Sequence, residues 1–363
     1  LSGGMDSGSI TAIAAQEIPN LKSFTVGFDL SSASGVELGF DERSKAEAMS
    51  AAFRTEHYEM VLKAGDMERC LPDLVWALEE PRVGQSYPNL FAAKLASRFV
   101  KVVLSGAGGD ELFGGYPWRY YKGANSKNFE EFIDSYYLYW QRLASNSELK
   151  QLFAPVWSEV DHVWTRDIFR DVFQNHSNKL ESREDYVNHS LYFEAKTFLH
   201  GLLVVEDKLS MAHGLETRVP FLDNELVDFA LAVPVGLKLR NLRRGRALNE
   251  NDVVSKKQRP FRNDEGKYLL RQVMKRHVPR EVTQRQKQGF SSPDSSWFKG
   301  ESIAFVEGQL RNSEAVRHDW FDRGTLEKML RQHLNGVKNR RLLVWAFLCV
   351  ELWVRGWLNR SVV

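Results

Sequence analysis

Helix-like and strand-like segments alternate through roughly the first hundred residues, and that alternation leaves few folds open. DSGSITAIAAQ, from Asp6, reads as a short helix and LKSFTVGF, from Leu21, as a strand. FDERSKAEAMSAAF, from Phe40, has the alanine-rich, charged make-up of a second helix, and TEHYEMV, from Thr55, of a second strand. Helices near Met67–Leu78 and Leu90–Phe99 then lead into FVKVVLS, whose β-branched run predicts a fully buried parallel strand. Helices between strands imply parallel crossovers, so the expected class is a layered α/β fold. After Tyr116 aromatic and charged helical stretches take over, among them FEEFIDSYYLYWQRLA and LLVWAFLCVELW, so a boundary is expected between Gly115 and Gly123. This gives a core over residues 1–120 and a mainly helical part over 121–363. LRNLRRGRALNENDVVSKKQRP, from Leu239, has the polarity of a mobile surface loop.

Composition removes several function classes. With 49 Lys+Arg against 47 Asp+Glu, the net charge of +2 provides no broad basic field, so nucleic acid is not an expected partner. Cys70 and Cys349 stand far apart without metal-ligand spacing, which fits a reducing, cytoplasmic setting rather than a disulfide or zinc framework. No signal-peptide pattern is visible, and the apolar run Leu342–Trp353 is too short to span a bilayer, so it is expected as a buried helix and no membrane partner is implied.

Two glycine-rich turns carry the chemistry. LSGGMDSGS opens the chain directly before the first helix. Gly3 and Gly4 permit close backbone approach, and the Ser2 and Ser7 hydroxyls can donate to phosphate oxygens at a helix N-terminus. Asp6 beside an anion site is repulsive unless a cation mediates, which argues for Mg²⁺ between Asp6 and phosphate. The same letters also describe an ordinary capped helix after a loose start, and the residues leave both readings open. VVLSGAGGDELFGG, from Val102, repeats the logic with Ser105, Gly106, Gly108 and Gly109 ahead of Asp110 and Glu111. Two strand ends that each deliver one acid, Asp6 and Asp110, would make a Mg²⁺ and pyrophosphate clamp; a plain glycine turn with an acidic helix start is the alternative. Neither loop is a GxxxxGK[ST] phosphate loop, since no lysine follows.

The first loop resembles the SGGxDS loop of the ATP pyrophosphatases. Together with VVEDKLSMAHGLETRVPFLDNELVDFAL and GKYLLRQVMKRHVPREVTQRQKQGFSSPDSSWF, the two loops resemble, in order and over nearly the whole chain, the synthetase domain of glutamine-hydrolysing asparagine synthetases. The resemblance implies an adenine-nucleotide hydrolase-like (ATP pyrophosphatase) parallel-sheet core with a mainly α-helical C-terminal part. It implies ATP as substrate with Mg²⁺, adenylation of the aspartate side chain, and displacement of AMP by ammonia normally derived from glutamine. It also implies that Leu1, Val26, Ser105 and Gly106 line the AMP portion and that Ser2, Gly3, Gly4, Asp6 and Ser7 hold pyrophosphate. Asp6 and Asp110 match the metal-side acids, and Lys267 matches a lysine that stabilises charge in the transition state, with a plain surface lysine as the alternative. Glu216, Arg218 and Asp223 are expected to pair in a buried turn that docks the helical half on the sheet. HGLET and QRQKQGF are candidates for a lid or for an interdomain connection, and RNLRRGR, from Arg240, for attracting departing pyrophosphate or for a solvated loop.

The match fails in three places. Most members of the family carry an acid where this chain has Ala107, and a methyl group cannot accept a proton, so amidation is expected to weaken or the acceptor to differ. EEPRVGQSYPN, from Glu79, places Arg82, Gly84 and Gln85 where the family has an acid and small residues. The glutaminase half, with its N-terminal cysteine nucleophile, has no counterpart here, so an upstream glutaminase domain and the strand before the first loop are expected outside this sequence. Two rival readings stay open: a related amidotransferase or cyclase acting on a β-lactam, peptide or sugar carboxylate, and a nucleotide-binding protein with impaired turnover. The resemblance is compatible with a homodimer.

Overall fold

The structure, a computed structural model, describes residues 1–82, 86–176, 180–240, 242, 266–285, 287, 289 and 291–359. Helix α1 (Met5–Glu17) follows the opening loop; β1 (Lys22–Phe28), α2 (Arg43–Phe53) and β2 (Glu56–Leu62) come next. Helices α3 (Ala64–Leu78) and α4 (Tyr87–Ala96) then lead to β3 (Val102–Leu104). Strands β1 and β2 pair in parallel from Lys22↔Glu56 to Phe28↔Leu62, as the helical crossover α2 requires.

Strand β3 differs from expectation. It is three residues long and pairs in parallel with β4 (Glu216–Arg218), and Val102 and Leu104 are 41% and 45% exposed rather than fully buried. Both residues line a cavity of about 770 Å³ that β1 residues also line, so the face between β1 and β3 is not covered by a strand of the described residues. The layered sheet is therefore present as two parallel pairs, β2–β1 and β3–β4, rather than as one run of strands. Leu1 lies along β1, its nitrogen donating to the Phe24 carbonyl and its own carbonyl accepting from the Thr25 hydroxyl.

Beyond β3 the chain is helical: α5 (Gly109–Phe113), α6 (Pro117–Gly123), α7 (Phe129–Trp140), α8 (Arg183–Phe193) and α9 (His200–Met211), the last two joined by a π-helical turn at Glu194–Leu199. After β4 come α10 (Asn224–Ala232), α11 (Tyr268–Met274), α12 (Arg280–Gln284), α13 (Ile303–Arg311), α14 (Arg323–Leu334) and α15 (Arg341–Trp353). Residues 117–123, inside the expected boundary, are thus helical. The largest apolar cluster joins both halves of the chain, with Val26, Phe28, Leu62, Met67 and Leu71 packed together with Trp297, Phe298, Leu330, Trp345 and Leu348. Helix α15 is the buried apolar run expected from its letters, and no helix among the described residues is long and apolar enough to cross a membrane. A polar staple sets its position: buried Asp294 accepts from the Trp345 indole at 2.7 Å, while Glu37 accepts from the Ser295 and Ser296 amides at 3.0 and 2.9 Å. Cys70 and Cys349 are free, buried thiols, and burial pushes both up to about 12.

Glu216, Arg218 and Asp223 do not form the expected buried turn. Arg218 pairs with Glu216 at 2.8 Å, but both side chains are more than half exposed, because alternate residues of the short strand β4 point outward. Asp223 caps α10 instead, accepting from the Glu225 and Leu226 amides at the surface. Most of the loop after Leu239, including RNLRRGR apart from Arg240 and Leu242, lies outside the described residues, as do Gly84 and Gln85 and residues 286, 288 and 290 of QRQKQGF.

Candidate functional site

The N-terminus of α1 carries no side-chain cap. Gly4 occupies the cap position and makes no side-chain cap hydrogen bond, so the first-turn amides have no side-chain acceptor there. The two loop hydroxyls, Ser2 and Ser7, lie 2.9 Å apart; the Ser2 amide donates to Ser7 Oγ at 3.1 Å and the Gly4 amide to Ser2 Oγ at 3.1 Å. This folds the loop into a compact anion cradle of the kind helix N-termini offer.

The second loop packs directly against it. A Cβ on Gly106 would stand 2.9 Å from the Ser7 amide nitrogen and 3.0 Å from Asp6 Cβ, so only glycine lets the two loops approach this closely. Helix α5 then sends Asp110 inward. Asp6 and Asp110, more than a hundred residues apart in sequence, are both buried and both reach the same ammonium: Lys267 Nζ pairs with Asp6 Oδ2 and lies 2.5 Å from Asp110 Oδ1. Lys267 is thus no surface lysine. It sits at the head of α11 with φ +56° and ψ +35°, in the left-handed region, held by its amide bond to the Phe113 carbonyl at 3.1 Å. A non-glycine residue there costs energy that the surroundings must offset, a sign of functional rather than local determination.

Two residues that the sequence reading did not single out complete the cluster. Lys287 places its ammonium 2.6 Å from Asp110 Oδ2, and Arg285 donates to the Gly3 carbonyl of the first loop. Both come from QRQKQGF. The pair of cations in three residues, Arg285 and Lys287, is the one local signal that the motif carries for a phosphate site rather than a lid. Buried Arg271 braces both segments, donating to the Gly266 carbonyl at 2.8 Å and to the Thr283 and Arg285 carbonyls at 2.6 and 3.0 Å.

The charges answer one another. Burial pushes the Asp6 carboxyl up, and Asp110 adds to this more than Lys287 relieves it; the net direction is upward despite Lys267. Burial also works on Asp110, but the ammonium groups of Lys267 and Lys287 outweigh it and hold that carboxyl below its usual range. Lys287 is held above its ordinary value, burial being overcome by Asp110 and Asp6. Burial and the neighbouring Asp110 charge push Glu111 up to about 7.

These residues fit a magnesium ion shared with phosphates. Asp6 Oδ1 is buried without a hydrogen-bond donor, and Asp110 faces it across Lys267. Among the described residues no group of three or more His, Cys, Asp or Glu could hold a metal ion, so Asp6 and Asp110 would hold it together with substrate oxygens. The cavity beside the cluster is lined by Leu1, Ser2, Gly4, Asp6, Ser7, Val26, Ser105, Gly106 and Lys267, among others; Gly3 and Asp110 are not part of its lining. Its volume, about 770 Å³, suits a ligand the size of a nucleotide.

Comparison with known proteins agrees on one family. The family model described as asparagine synthase matches residues 1–355. A putative glutamine-hydrolysing asparagine synthetase of Mycobacterium tuberculosis is 30% identical over 399 aligned residues, covering 100% of this chain and 55% of the relative. Glutamine-hydrolysing asparagine synthetase 1 of Bacillus subtilis is 28% identical, covering 97% of this chain and 55% of its own length. The corresponding Arabidopsis thaliana protein is 24% identical over 83% of this chain. The chain spans about half the length of the bacterial relatives it matches.

Proposed function

The chain belongs to the asparagine synthase family, and from that premise and the geometry above we propose that it activates the aspartate side-chain carboxylate with ATP and passes the acyl group to ammonia. The observation that carries this reading is the meeting of Asp6 and Asp110, each from its own glycine-rich loop, on the single ammonium of Lys267 beside a nucleotide-sized cavity. Bound magnesium would neutralise phosphate charge next to Asp6 and Asp110. The chain's own residues do the rest. The amides at the start of α1 and the Ser2 and Ser7 hydroxyls orient the outer phosphates, while Ser105 and Gly106 border the nucleoside side. Lys267 and Lys287 lie where negative charge grows as the α–β bond breaks; each such fixed donor is worth about 3 kcal/mol in a site shielded from water. Burial and mutual bracing keep them there without reorganisation.

The nitrogen is proposed to arrive as ammonia. Cys70 and Cys349 are buried with their thiols pushed up to about 12, so neither provides the thiolate that glutamine hydrolysis needs; a separate glutaminase domain would release it. A second reading rests on Ala107: the same adenylation with a different carboxylate acceptor. The test is ATP–pyrophosphate exchange. Exchange that needs aspartate, with asparagine formed on adding ammonium chloride, supports the first reading. Exchange only with another carboxylate supports the second, and nucleotide binding without any exchange overturns both.

A further inference from the structure

The acid missing at position 107 has a counterpart elsewhere. Ala107 lines the cavity, and so does Glu206, which reaches it from α9, a helix packed on α4 and β4. Ser105 stands between them: the Ala107 amide donates to Ser105 Oγ at 3.3 Å, Ser105 lines the same cavity, and its hydroxyl favours the charged form of Glu206. A carboxylate delivered by a helix thus enters the same cavity as the residue whose side chain cannot provide one. No charged side chain among the described residues acts on it, unlike Asp6 and Asp110, which are tied to lysines.

We infer that Glu206 is a catalytic residue of the amidation step, accepting the proton released when ammonia attacks the acyl adenylate. The inference rests on the proposed adenylation. In the step, the ammonia lone pair forms the C–N bond and the carbonyl electrons move onto oxygen. They return to expel AMP with the electron pair of its C–O bond, and one N–H proton passes to the Glu206 carboxylate and thence to solvent. Atoms and charge balance without a further reactant. Burial raises the Glu206 carboxyl, with Ser105 opposing, which brings its basicity nearer to that of a working proton acceptor. The remaining acids of the cavity serve less well: Asp6 is paired to Lys267, and Glu42 lies within 3.8 Å of the Lys45 ammonium.

The experiment compares the unaltered protein with Glu206→Gln, Glu206→Ala and Glu206→Gln combined with Ala107→Glu, all supplied with ammonium chloride. Glutamine keeps the size of the side chain and a carbonyl for Ser105 but accepts no proton. Aspartate-dependent ATP–pyrophosphate exchange, which itself reports a folded nucleotide site, is expected to fall no more than about threefold in Glu206→Gln, while amide formation falls about 10²- to 10⁴-fold and AMP accumulates in excess of amide. Adding Ala107→Glu is expected to recover at least tenfold of that loss. Amide formation at the unaltered rate in Glu206→Gln, with exchange intact, would overturn the inference and leave Glu206 as the partner of Ser105 alone. Loss of exchange and amide in equal measure in both Glu206→Gln and Glu206→Ala would overturn it too, by placing Glu206 in nucleotide binding. Absence of aspartate-dependent exchange in the unaltered protein would instead remove the aspartate reading, and this inference with it.

Discussion

Lys267 gathers two costs at one residue, a buried ammonium and a left-handed backbone, and two carboxylates at contact distance offset the first. Neither cost helps a free lysine on a helix start, and together they make sense only if the ammonium is needed where it is. Lys267→Met should leave Asp6 without a paired cation and Asp110 with Lys287 alone, and an uncompensated buried charge ordinarily costs about 3 to 5 kcal/mol. The expected outcome is a protein of lower melting temperature whose pyrophosphate exchange drops at least 10²-fold. An exchange rate within threefold of the unaltered protein would remove Lys267 from the mechanism. Gly115 tests the same point sterically, because a Cβ there would stand 1.8 Å from Asp110 Oδ1 and 2.7 Å from Lys267 Cε. Gly115→Ala should therefore cost about 1 to 3 kcal/mol and most of the exchange activity, read by calorimetry and by the exchange assay. The acids and the lysine were legible in the motifs around them. Lys287 and Arg285 were passed over because QRQKQGF reads as a lid or an interdomain connection, and only the folded chain brings its cations onto Asp110 and Gly3.

At the level of elements, helix α14 carries a titrating group that should show in stability. His333 is buried, accepts the Arg340 amide on Nδ1 at 3.2 Å, and is held down to about 4 by burial, with the charges of Lys299 and Arg341 adding to this. Below pH 6.5 the unfolded chain takes up a proton that the folded one refuses, so stability falls as pH drops toward 4, by roughly 3 kcal/mol at most from this group. Asp294, pushed up to about 6 chiefly by burial, acts oppositely: its folded form holds a proton that the unfolded form has released, so its contribution falls as pH rises from about 4 to 6. The measurement is thus a difference. Denaturant unfolding of His333→Asn, which keeps an acceptor without the basic nitrogen, should fall less between pH 6.5 and 4.5 than that of the unaltered protein, and equal slopes would refute the assignment. Helices and strands themselves were readable from alternation and alanine content, with ends displaced by a few residues. The burial of β3 was not. A β-branched run signals a strand with two apolar faces, but whether both are covered depends on what lies across the cavity.

For the molecule as a whole, the decisive arrangement is the convergence of residues 1–7, 105–111 and 266–287, three segments that share no local contact in sequence. MgATP binding should protect the described parts of all three from hydrogen exchange together, by up to about 2.7 kcal/mol at a hundredfold excess over the dissociation constant. Protection confined to the first loop would mean that the nucleotide does not bridge them. The letters alone determined the helices and strands up to β3 and two apolar helices beyond it, because periodicity and glycine placement are local, and they determined which residue types were available for phosphate and metal chemistry. Tertiary structure decided what those residues face. It put one lysine between two distant carboxylates, drew two overlooked cations onto the same loops, exposed the Glu216–Arg218 pair expected inside, and set Glu206 beside Ala107. Burial and long-range proximity are properties of the packed chain, and a linear pattern does not contain them.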